Sequence, residues 1–436
     1  MITRPNTVCR SSRKEEKQVK SKRLLALIGS VCLVLVLVAL SLCPACAPAP
    51  VAKDKIVIGA SRSLTGPLSF FEENAFGPIY KMWVDDVNAA GGIYVKEYGK
   101  KLLVETKVYD DTSDAGMVAT NIDKLCVEDK VDFLFGPCGT AMLFAGAPIA
   151  NKYEKIILCA EGGCTTLTPM LPDLPYVFSV LNFSDHYQMP VMAELFKEWG
   201  VKSVYAIYIA DLHGAEYLLV GTSELTKVGI PIVNAVSVPM STVDYAPIIK
   251  AAKDSGADAF VAWIYPWMIN PAFEQSIALD YNPKVWLGGP GVNFENFRTT
   301  WGDANIEGVI GEGAWSRKSS PEASAFADKF IARWGAEHLD WWGHLVYYSA
   351  LQHFQQAIEK AGTLDSKTVR DVMATSTFDT ILGPMWWQVY DNGGGLLPQE
   401  CYAGQIGQWQ NGLFEVIDPG EKRTAEPIYP KPAFPK

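Results

Sequence analysis

Short apolar segments alternate with helical segments along most of this chain, and this alternation constrains the fold more than any other feature. The clearest unit is Asp132–Thr168. Val131–Phe135, at its start, and Lys155–Cys159 read as buried parallel strands, and the Ala-rich segment Ala141–Ala150 reads as the helix between them. Strands that alternate with helices of ten to fifteen residues imply βαβ units and a parallel sheet.

Two turns of small residues follow the strands of this unit. They are Cys138-Gly139-Thr140 and Gly162-Gly163-Cys164-Thr165-Thr166. In open α/β sheets, ligands bind beyond the carboxyl ends of strands, where small residues expose backbone N–H groups and a helix N-terminus to an anionic group. The residues equally allow two ordinary βα turns without a ligand.

The same alternation occurs twice, which predicts two α/β lobes. The first series starts at Lys55, and the second begins after Pro172–Pro175. The third section, Pro321–Lys436, contains helices and extended segments that complete the earlier lobes. We therefore expect two Rossmann-like lobes with parallel sheets flanked by helices, joined by a hinge that the chain crosses several times. The predicted boundaries assign 55–180 and 315–402 to lobe 1, and 181–314 and 403–436 (including the C-terminal tail) to lobe 2.

The N-terminus has the pattern of an export signal. Residues 1–45 contain eight Lys or Arg against two Glu, a charge of +6, so the remainder carries −16 of the total of −10. An apolar run, Leu24–Leu42, follows the basic segment. The run ends in LCPACAPAP, which resembles a bacterial lipobox. We expect residues 1–45 to be a lipoprotein signal peptide, Cys46 to be lipidated rather than Cys43, and 46–54 to be a tether. An uncleaved membrane anchor is the alternative.

Composition argues against several other classes. The acidic remainder lacks the basic patches that nucleic-acid binding requires. The cysteines after Cys46 show no metal-ligand spacing, although Cys159 and Cys164 flank a turn and could pair. We find no GxSxG or phosphate-loop motif. The expectation is a protein without cofactor, metal site or catalytic residues.

Several motifs, taken in order, resemble a known family. They are IVIGASRSLTGP, DVNAAGGI, VYDDTSD, FGPCGT, ADLHG, DYAPII, YSALQ and ILGPMW. The chain resembles the type I periplasmic solute-binding proteins, and within them the leucine/isoleucine/valine-binding group that feeds ABC importers. The resemblance covers about Lys55 to Asp418.

The resemblance implies a ligand site built from both lobes. In lobe 1 the two small-residue turns would hold a carboxylate, with an aromatic ring from Phe71, or Phe70 if the alignment shifts. In lobe 2 His213, Tyr265 and the Gly289–Gly291 segment would cover the ligand, and the Trp341-Trp342 pair would form another aromatic wall. The implied ligand-binding residues are Phe71, Cys138, Gly139, Thr140, Gly162, Gly163, Cys164, His213, Tyr265, Pro290 and Trp342.

One position departs from the family. Where amino-acid binders carry an acidic partner for the ligand's ammonium, this chain has Pro290. Burying an unpaired ammonium is costly. Either Glu161, Asp185 or Glu295 supplies the charge, or the ligand is a hydrophobic or aromatic carboxylate, or an amide, because Trp263, Trp267 and Trp341 are expected nearby.

The resemblance implies a monomeric, lipid-anchored extracytoplasmic protein that captures a small molecule and delivers it to ABC permease subunits, without nucleic acid as a partner. The alternatives are a ligand-sensing receptor subunit and an α/β hydrolase or amidase.

Overall fold

Two β-sheets flanked by helices organise the chain. The computed structural model describes residues 53–162, 164–181, 187–313, 315–391 and 393–435. We call each sheet, with the helices packed on it, a lobe: lobe 1 contains sheet 1 and lobe 2 contains sheet 2.

The first sheet has eight strands. They are β1 Lys55–Arg62, β2 Ile93–Val95, β3 Lys100–Asp110, β4 Phe133–Phe135, β5 Ile157–Glu161, β6 Val177–Leu181, β14 Gln388–Val389 and β15 Gly395–Leu396. The second sheet has seven strands. They are β7 Val204–Ile209, β8 Ile232–Val238, β9 Ala259–Trp263, β10 Val285–Gly288, β11 Ile310–Glu312, β16 Ile406–Gln410 and β17 Leu413–Asp418. A separate antiparallel pair joins β12 Phe378–Thr380 to β13 Gly383–Met385.

The described α-helices connect or flank these strands. They are α1 Ser69–Phe71, α2 Gly77–Ala89, α3 Ala115–Val127, α4 Thr140–Lys152, α5 Cys164–Leu167, α6 Gln188–Glu198, α7 Leu212–Lys227, α8 Ala246–Ser255, α9 Pro266–Ala278, α10 Glu295–Trp301, α11 Asp303–Ile306, α12 Pro321–Trp334, α13 His344–Ala361 and α14 Ser366–Thr375. A π-helical turn, Glu72–Phe76, joins α1 to α2.

The two sheets share one strand order. Their parallel strands run β3-β1-β4-β5-β6 in sheet 1 and β8-β7-β9-β10-β11 in sheet 2. Strand order therefore reverses between β1 and β4 in one sheet, and between β7 and β9 in the other. Ligands bind outside the carboxyl ends of strands at such switch points.

The central strands are apolar because both of their faces are covered. Phe133–Phe135 and Ala259–Trp263 are buried at every position, as expected for parallel strands packed between helices. This confirms the predicted fold class of two mostly parallel sheets flanked by helices.

The C-terminal third contributes to both sheets. Strand β15 pairs in parallel with β6, whereas β16 and β17 extend sheet 2 in antiparallel fashion. The chain thus passes between the sheets three times: after β6, after β11 and after β15. The boundaries predicted after residues 180, 314 and 402 stay a prediction. No helix in the described ranges is long and apolar enough to cross a membrane.

Helix α9 begins at Pro266, a residue type that is well suited to the first helical turn, and contains a second proline, Pro271. The Cys159 side chain is a buried free thiol, so the Cys159–Cys164 disulfide considered from the sequence is not formed.

Candidate ligand-binding site

A cavity lies between the lobes, at the point where the two switch points face each other. Its volume is about 150 Å³, comparable to an engineered apolar cavity of about 150 Å³ that binds benzene. The lining residues come from both lobes and follow the carboxyl ends of strands. They are Pro67, Leu68, Ser113, Gly139, Thr140, Ala141, Met142, Asp211, Leu212, His213, Met240 and Tyr265. The space suits a ligand of about one ring.

The wall from lobe 1 is the start of helix α4. Gly139 has a φ of +95°, a conformation that favours glycine, and it turns the chain sharply before Thr140 begins the helix. The Thr140 side chain is buried at the cavity. The first N–H groups of a helix have no partner within the helix and carry partial positive charge. This wall can therefore accept a carboxylate.

A buried arginine supports this turn from behind. Arg62, the last residue of β1, donates from Nη1 to the Gly136 carbonyl at 2.6 Å and forms an ion pair with Glu72, also at 2.6 Å. Its guanidinium lies 5.0 Å from the ring centroid of Tyr80. The guanidinium thus fixes the β4–α4 turn. Arg62 lies within the quoted IVIGASRSLTGP motif, but sequence reasoning gave it no role because a buried ion pair leaves no local pattern.

The wall from lobe 2 combines two aromatic rings with a carboxylate. His213 and Tyr265 stack with ring centroids 5.4 Å apart and an interplanar angle of 19°. The Tyr265 hydroxyl donates to Asp211 Oδ2 at 2.7 Å, and the other Asp211 oxygen caps helix α7 by accepting from Gly214 N at 2.9 Å. Asp211 belongs to the ADLHG motif but was not predicted as a site residue. Its position between the end of a strand and the start of a helix was the sequence feature that could have indicated this role.

Aromatic rings close the two lobes against each other beside the cavity. Phe71 meets Tyr265 edge-on at 5.7 Å and Trp267 at 6.0 Å. Phe70 contacts Trp267 at 6.4 Å. Phe71 is only 1% exposed, so it is an inter-lobe contact next to the cavity rather than a lining residue.

The predicted site residues fall into three groups. Gly139, Thr140, His213 and Tyr265 line the cavity. Of the other described residues, Phe71 and Cys138 are buried next to lining residues, whereas Gly162, Pro290 and Trp342 do not line it. Gly163, Asp185 and Cys46 lie outside the described residues, as do the side chains of Glu161 and Cys164.

Gly162, and two residues that the sequence analysis expected near the ligand, Trp263 and Glu295, have structural contacts instead. A Cβ on Gly162 would lie 2.0 Å from a Leu143 methyl carbon, so Gly162 allows close packing of the chain there. Trp263 is fully buried in the core of lobe 2, where its ring lies 6.2 Å from Tyr217. Glu295, expected as an alternative charge partner, pairs with Arg298 at 3.3 Å and does not line the cavity.

The second predicted turn is contacted by lobe 2 itself. The backbone N–H of Thr166, in helix α5, donates to Glu216 Oε1 at 2.9 Å. Glu216 belongs to α7 and is 3% exposed. The Glu216 carboxylate therefore accepts a hydrogen bond from a backbone N–H of the turn that was expected, from the sequence, to bind the ligand's carboxylate.

Further depressions lie outside the cleft. One, of about 520 Å³, lies in lobe 1 between α2 and β3; another, of about 370 Å³, lies near Lys422 and Tyr402, and a third, of about 320 Å³, lies near Phe326 and Tyr348. Within the described ranges, no group of three His, Cys, Asp or Glu residues comes together to hold a metal ion.

Two α/β lobes with a ligand-sized cavity at facing switch points define a two-lobed solute-binding protein. The sequence model of the periplasmic binding protein family matches residues 55–410. The chain therefore belongs to the periplasmic binding protein family, and its predicted membership of the type I, leucine/isoleucine/valine-binding group is confirmed.

Individual relatives are distant. The leucine-, isoleucine-, valine-, threonine- and alanine-binding protein of Pseudomonas aeruginosa is 24% identical over 349 residues, which cover 76% of this chain and 85% of that protein. A solute-binding protein from Rhodopseudomonas palustris BisB5, solved with 3,4-dihydroxybenzoic acid, superposes with a TM-score of 0.70 at 18% identity, covering 85% and 100% of the two chains. LivJ from Streptococcus pneumoniae, solved with isoleucine, superposes with a TM-score of 0.67 at 18% identity, covering 86% of this chain and 100% of LivJ.

Proposed function

We propose that this chain is the extracytoplasmic solute-binding lipoprotein of an ABC importer, and that it captures a small monocarboxylate between its lobes. The observation that carries the proposal is the cavity, which opens onto the N-terminus of α4 on one side and onto Tyr265 and His213 on the other. A ligand in this position touches both lobes.

The ligand's carboxylate would bind at Gly139 and Thr140, where the helix start supplies donors. Its apolar body would lie against Tyr265 and His213. Because such a ligand contacts both lobes, it stabilises the closed arrangement more than the open one. The closed, monomeric protein would then present the ligand to the permease, and the three chain crossings would act as the hinge.

The ligands named for the relatives are amino acids and an aromatic acid. The P. aeruginosa relative is named for leucine, isoleucine, valine, threonine and alanine, and the R. palustris structure contains 3,4-dihydroxybenzoic acid. Both classes combine a carboxylate with a small body. We therefore place the ligand among amino acids and single-ring aromatic acids, and a cavity of about 150 Å³ favours the smaller members of each class.

The ligand experiment is a thermal-shift screen of the chain from residue 53 onward, followed by isothermal titration calorimetry. Leucine, isoleucine, benzoate and 3,4-dihydroxybenzoate are the probes, and methyl benzoate is the matched control that lacks the carboxylate. We expect at least one carboxylate to raise the melting temperature and methyl benzoate to have no effect. No shift with any carboxylate, or an equal shift with the ester, contradicts the proposal.

Two further measurements separate the alternatives. Chromatography of a bound ligand after prolonged incubation should return it unchanged, since turnover would indicate a hydrolase. Deleting the protein should abolish ligand uptake by cells; a loss of signalling with normal uptake would indicate a sensor.

The lipid anchor is tested by metabolic labelling with an alkyne fatty acid. We expect Cys46→Ala to abolish labelling and the matched variant Cys43→Ala to retain it. The reverse result would place the lipid on Cys43. If neither the wild-type protein nor Cys43→Ala is labelled, the lipid anchor is contradicted.

A further inference from the structure

We propose that Asp211 selects ligands that carry a hydrogen-bond donor, a hydroxyl or ammonium group, in addition to the carboxylate. The inference rests on the proposed function, because it assigns one wall of the same cavity a role in choosing among carboxylates.

The Asp211 carboxylate lines the cavity with hydrogen-bonding capacity left over. One oxygen accepts from Gly214 N at 2.9 Å, and the other accepts from the Tyr265 hydroxyl at 2.7 Å. A carboxylate has about four acceptor sites. The two bonds hold the group rigidly, and the remaining sites can only accept. Because the Tyr265 proton is directed to Asp211, this pair offers acceptors to a ligand.

The surrounding charge favours the same kind of group. No described residue that lines the cavity is Lys or Arg, and the basic group on this wall is the imidazole of His213. A second ligand carboxylate placed here would be repelled. A hydroxyl or ammonium would instead form a charge-assisted hydrogen bond, which is about twice as strong as a neutral one.

Asp211 also supplies an acidic group, which is missing at the position where the family resemblance led us to expect one. Pro290 stands where the resemblance led us to expect an acid, and it does not line the cavity. Asp211 reaches the cavity from a different element, the turn between β7 and α7. The negative charge in this cavity is therefore supplied by Asp211, which caps α7 and accepts a hydrogen bond from Tyr265.

Two ligand pairs test the inference by isothermal titration calorimetry. Benzoate and 4-hydroxybenzoate differ by one hydroxyl, and 4-methylpentanoate and leucine differ by the ammonium. In at least one pair we expect the donor-bearing member to bind wild-type protein at least tenfold more tightly. 4-Methoxybenzoate, which keeps the oxygen but not the donor, should bind no better than benzoate.

The variant Asp211→Asn keeps an acceptor for the helix cap but removes the charge. We expect the preference within the discriminating pair to fall to threefold or less. The matched control is Asp244→Asn, an exposed aspartate that accepts from Ala246 N at the start of α8; it should keep the wild-type preference. Circular dichroism of both variants verifies that each is folded.

The outcomes separate the two proposals. Equal affinities within both pairs, or a preference that survives in Asp211→Asn, overturns the role of Asp211 and leaves the carboxylate-binding function standing. Absence of binding for every carboxylate overturns the proposed function and this inference together.

Discussion

Glu216 Oε1 accepts a hydrogen bond from the Thr166 backbone N–H at 2.9 Å, and this bond joins a helix of lobe 2 to a helix of lobe 1. The carboxylate is buried between the lobes. It approaches the N-terminal turn of α5, where a negative charge is favoured. The bond therefore stabilises the closed arrangement in a way that does not depend on the ligand.

The first prediction concerns this bond. Hydrogen bonds to charged groups contribute about 1.5–3 kcal/mol, so Glu216→Ala should shift the equilibrium towards the open form and weaken ligand binding roughly tenfold. Small-angle X-ray scattering of the ligand-free variant should give a larger radius of gyration than wild type. Glu224→Gln, which removes a carboxylate paired with Lys227 on the same helix, is the control and should change neither quantity. An unchanged radius and affinity in Glu216→Ala would exclude a role in closure.

The second prediction concerns Thr140. Removing its hydroxyl in Thr140→Val, with nearly the same shape, should weaken carboxylate binding by about 1–2 kcal/mol, or roughly tenfold. Thr140→Ser keeps the hydroxyl and should stay within about threefold of wild type by calorimetry. If valine and serine weaken binding equally, the hydroxyl does not contact the ligand.

The third prediction compares two buried phenylalanines of one segment. Phe71 contacts Tyr265 and Trp267 of lobe 2, whereas Phe76 packs on Tyr347 of lobe 1 at 5.1 Å. Phe71→Leu and Phe76→Leu should both lower the melting temperature of the ligand-free chain. Only Phe71→Leu should also weaken ligand binding, by about three- to tenfold, since aromatic pairs contribute about 0.5–1.5 kcal/mol beyond their burial. Equal losses of affinity would show that Phe71 acts only through folding.

The fourth prediction concerns acid stability. His353 is held neutral: Nδ1 accepts from Trp387 Nε1 at 3.2 Å, and Nε2 donates to the Ser376 carbonyl at 3.3 Å. Burial lowers the pKa of His353 from 6.5 to about 4. The unfolded chain therefore takes up the proton first, and the stabilisation by His353, present above pH 6.5, is lost as the pH falls towards 4. At pH 5 the loss is about 2 kcal/mol.

Urea unfolding of wild type and His353→Gln at pH 7.5 and pH 5.0 measures this effect. The difference in free energy of unfolding between the two proteins should narrow by about 2 kcal/mol at pH 5.0. Other buried groups that titrate are present in both proteins, so their contributions cancel in this difference in free energy of unfolding. Burial lowers the pKa of His344 to about 3 and raises the pKa of Asp340 to about 7, and both residues are present in the two proteins. A difference that does not change with pH would contradict the prediction.

The sequence carried most of the fold because the relevant information is local. Fully apolar runs such as Phe133–Phe135 mark buried strands, and the glycine before Thr140 marks the turn that starts α4. Strand β11 lacks such a run, because it contains a glycine and ends in a buried glutamate, Glu312.

The candidate site was only partly predictable, because its geometry depends on contacts between distant residues. Thr140 could be proposed from its position after a strand, and Tyr265 from the family resemblance. The link between Asp211 and Tyr265 spans 54 positions in the sequence, and nothing near either residue indicates it. The same holds for Glu216 and Thr166, which lie 50 positions apart in the sequence and belong to different lobes.

The most direct test of the account is a crystal structure of the protein purified from its own cells without denaturation, so that it carries its natural solute. We predict density between the lobes with a carboxylate about 2.7–3.2 Å from the backbone N–H or hydroxyl of Thr140, covered by the Tyr265 ring. A solute bound elsewhere, or one whose carboxylate is directed away from the start of α4, would contradict the account.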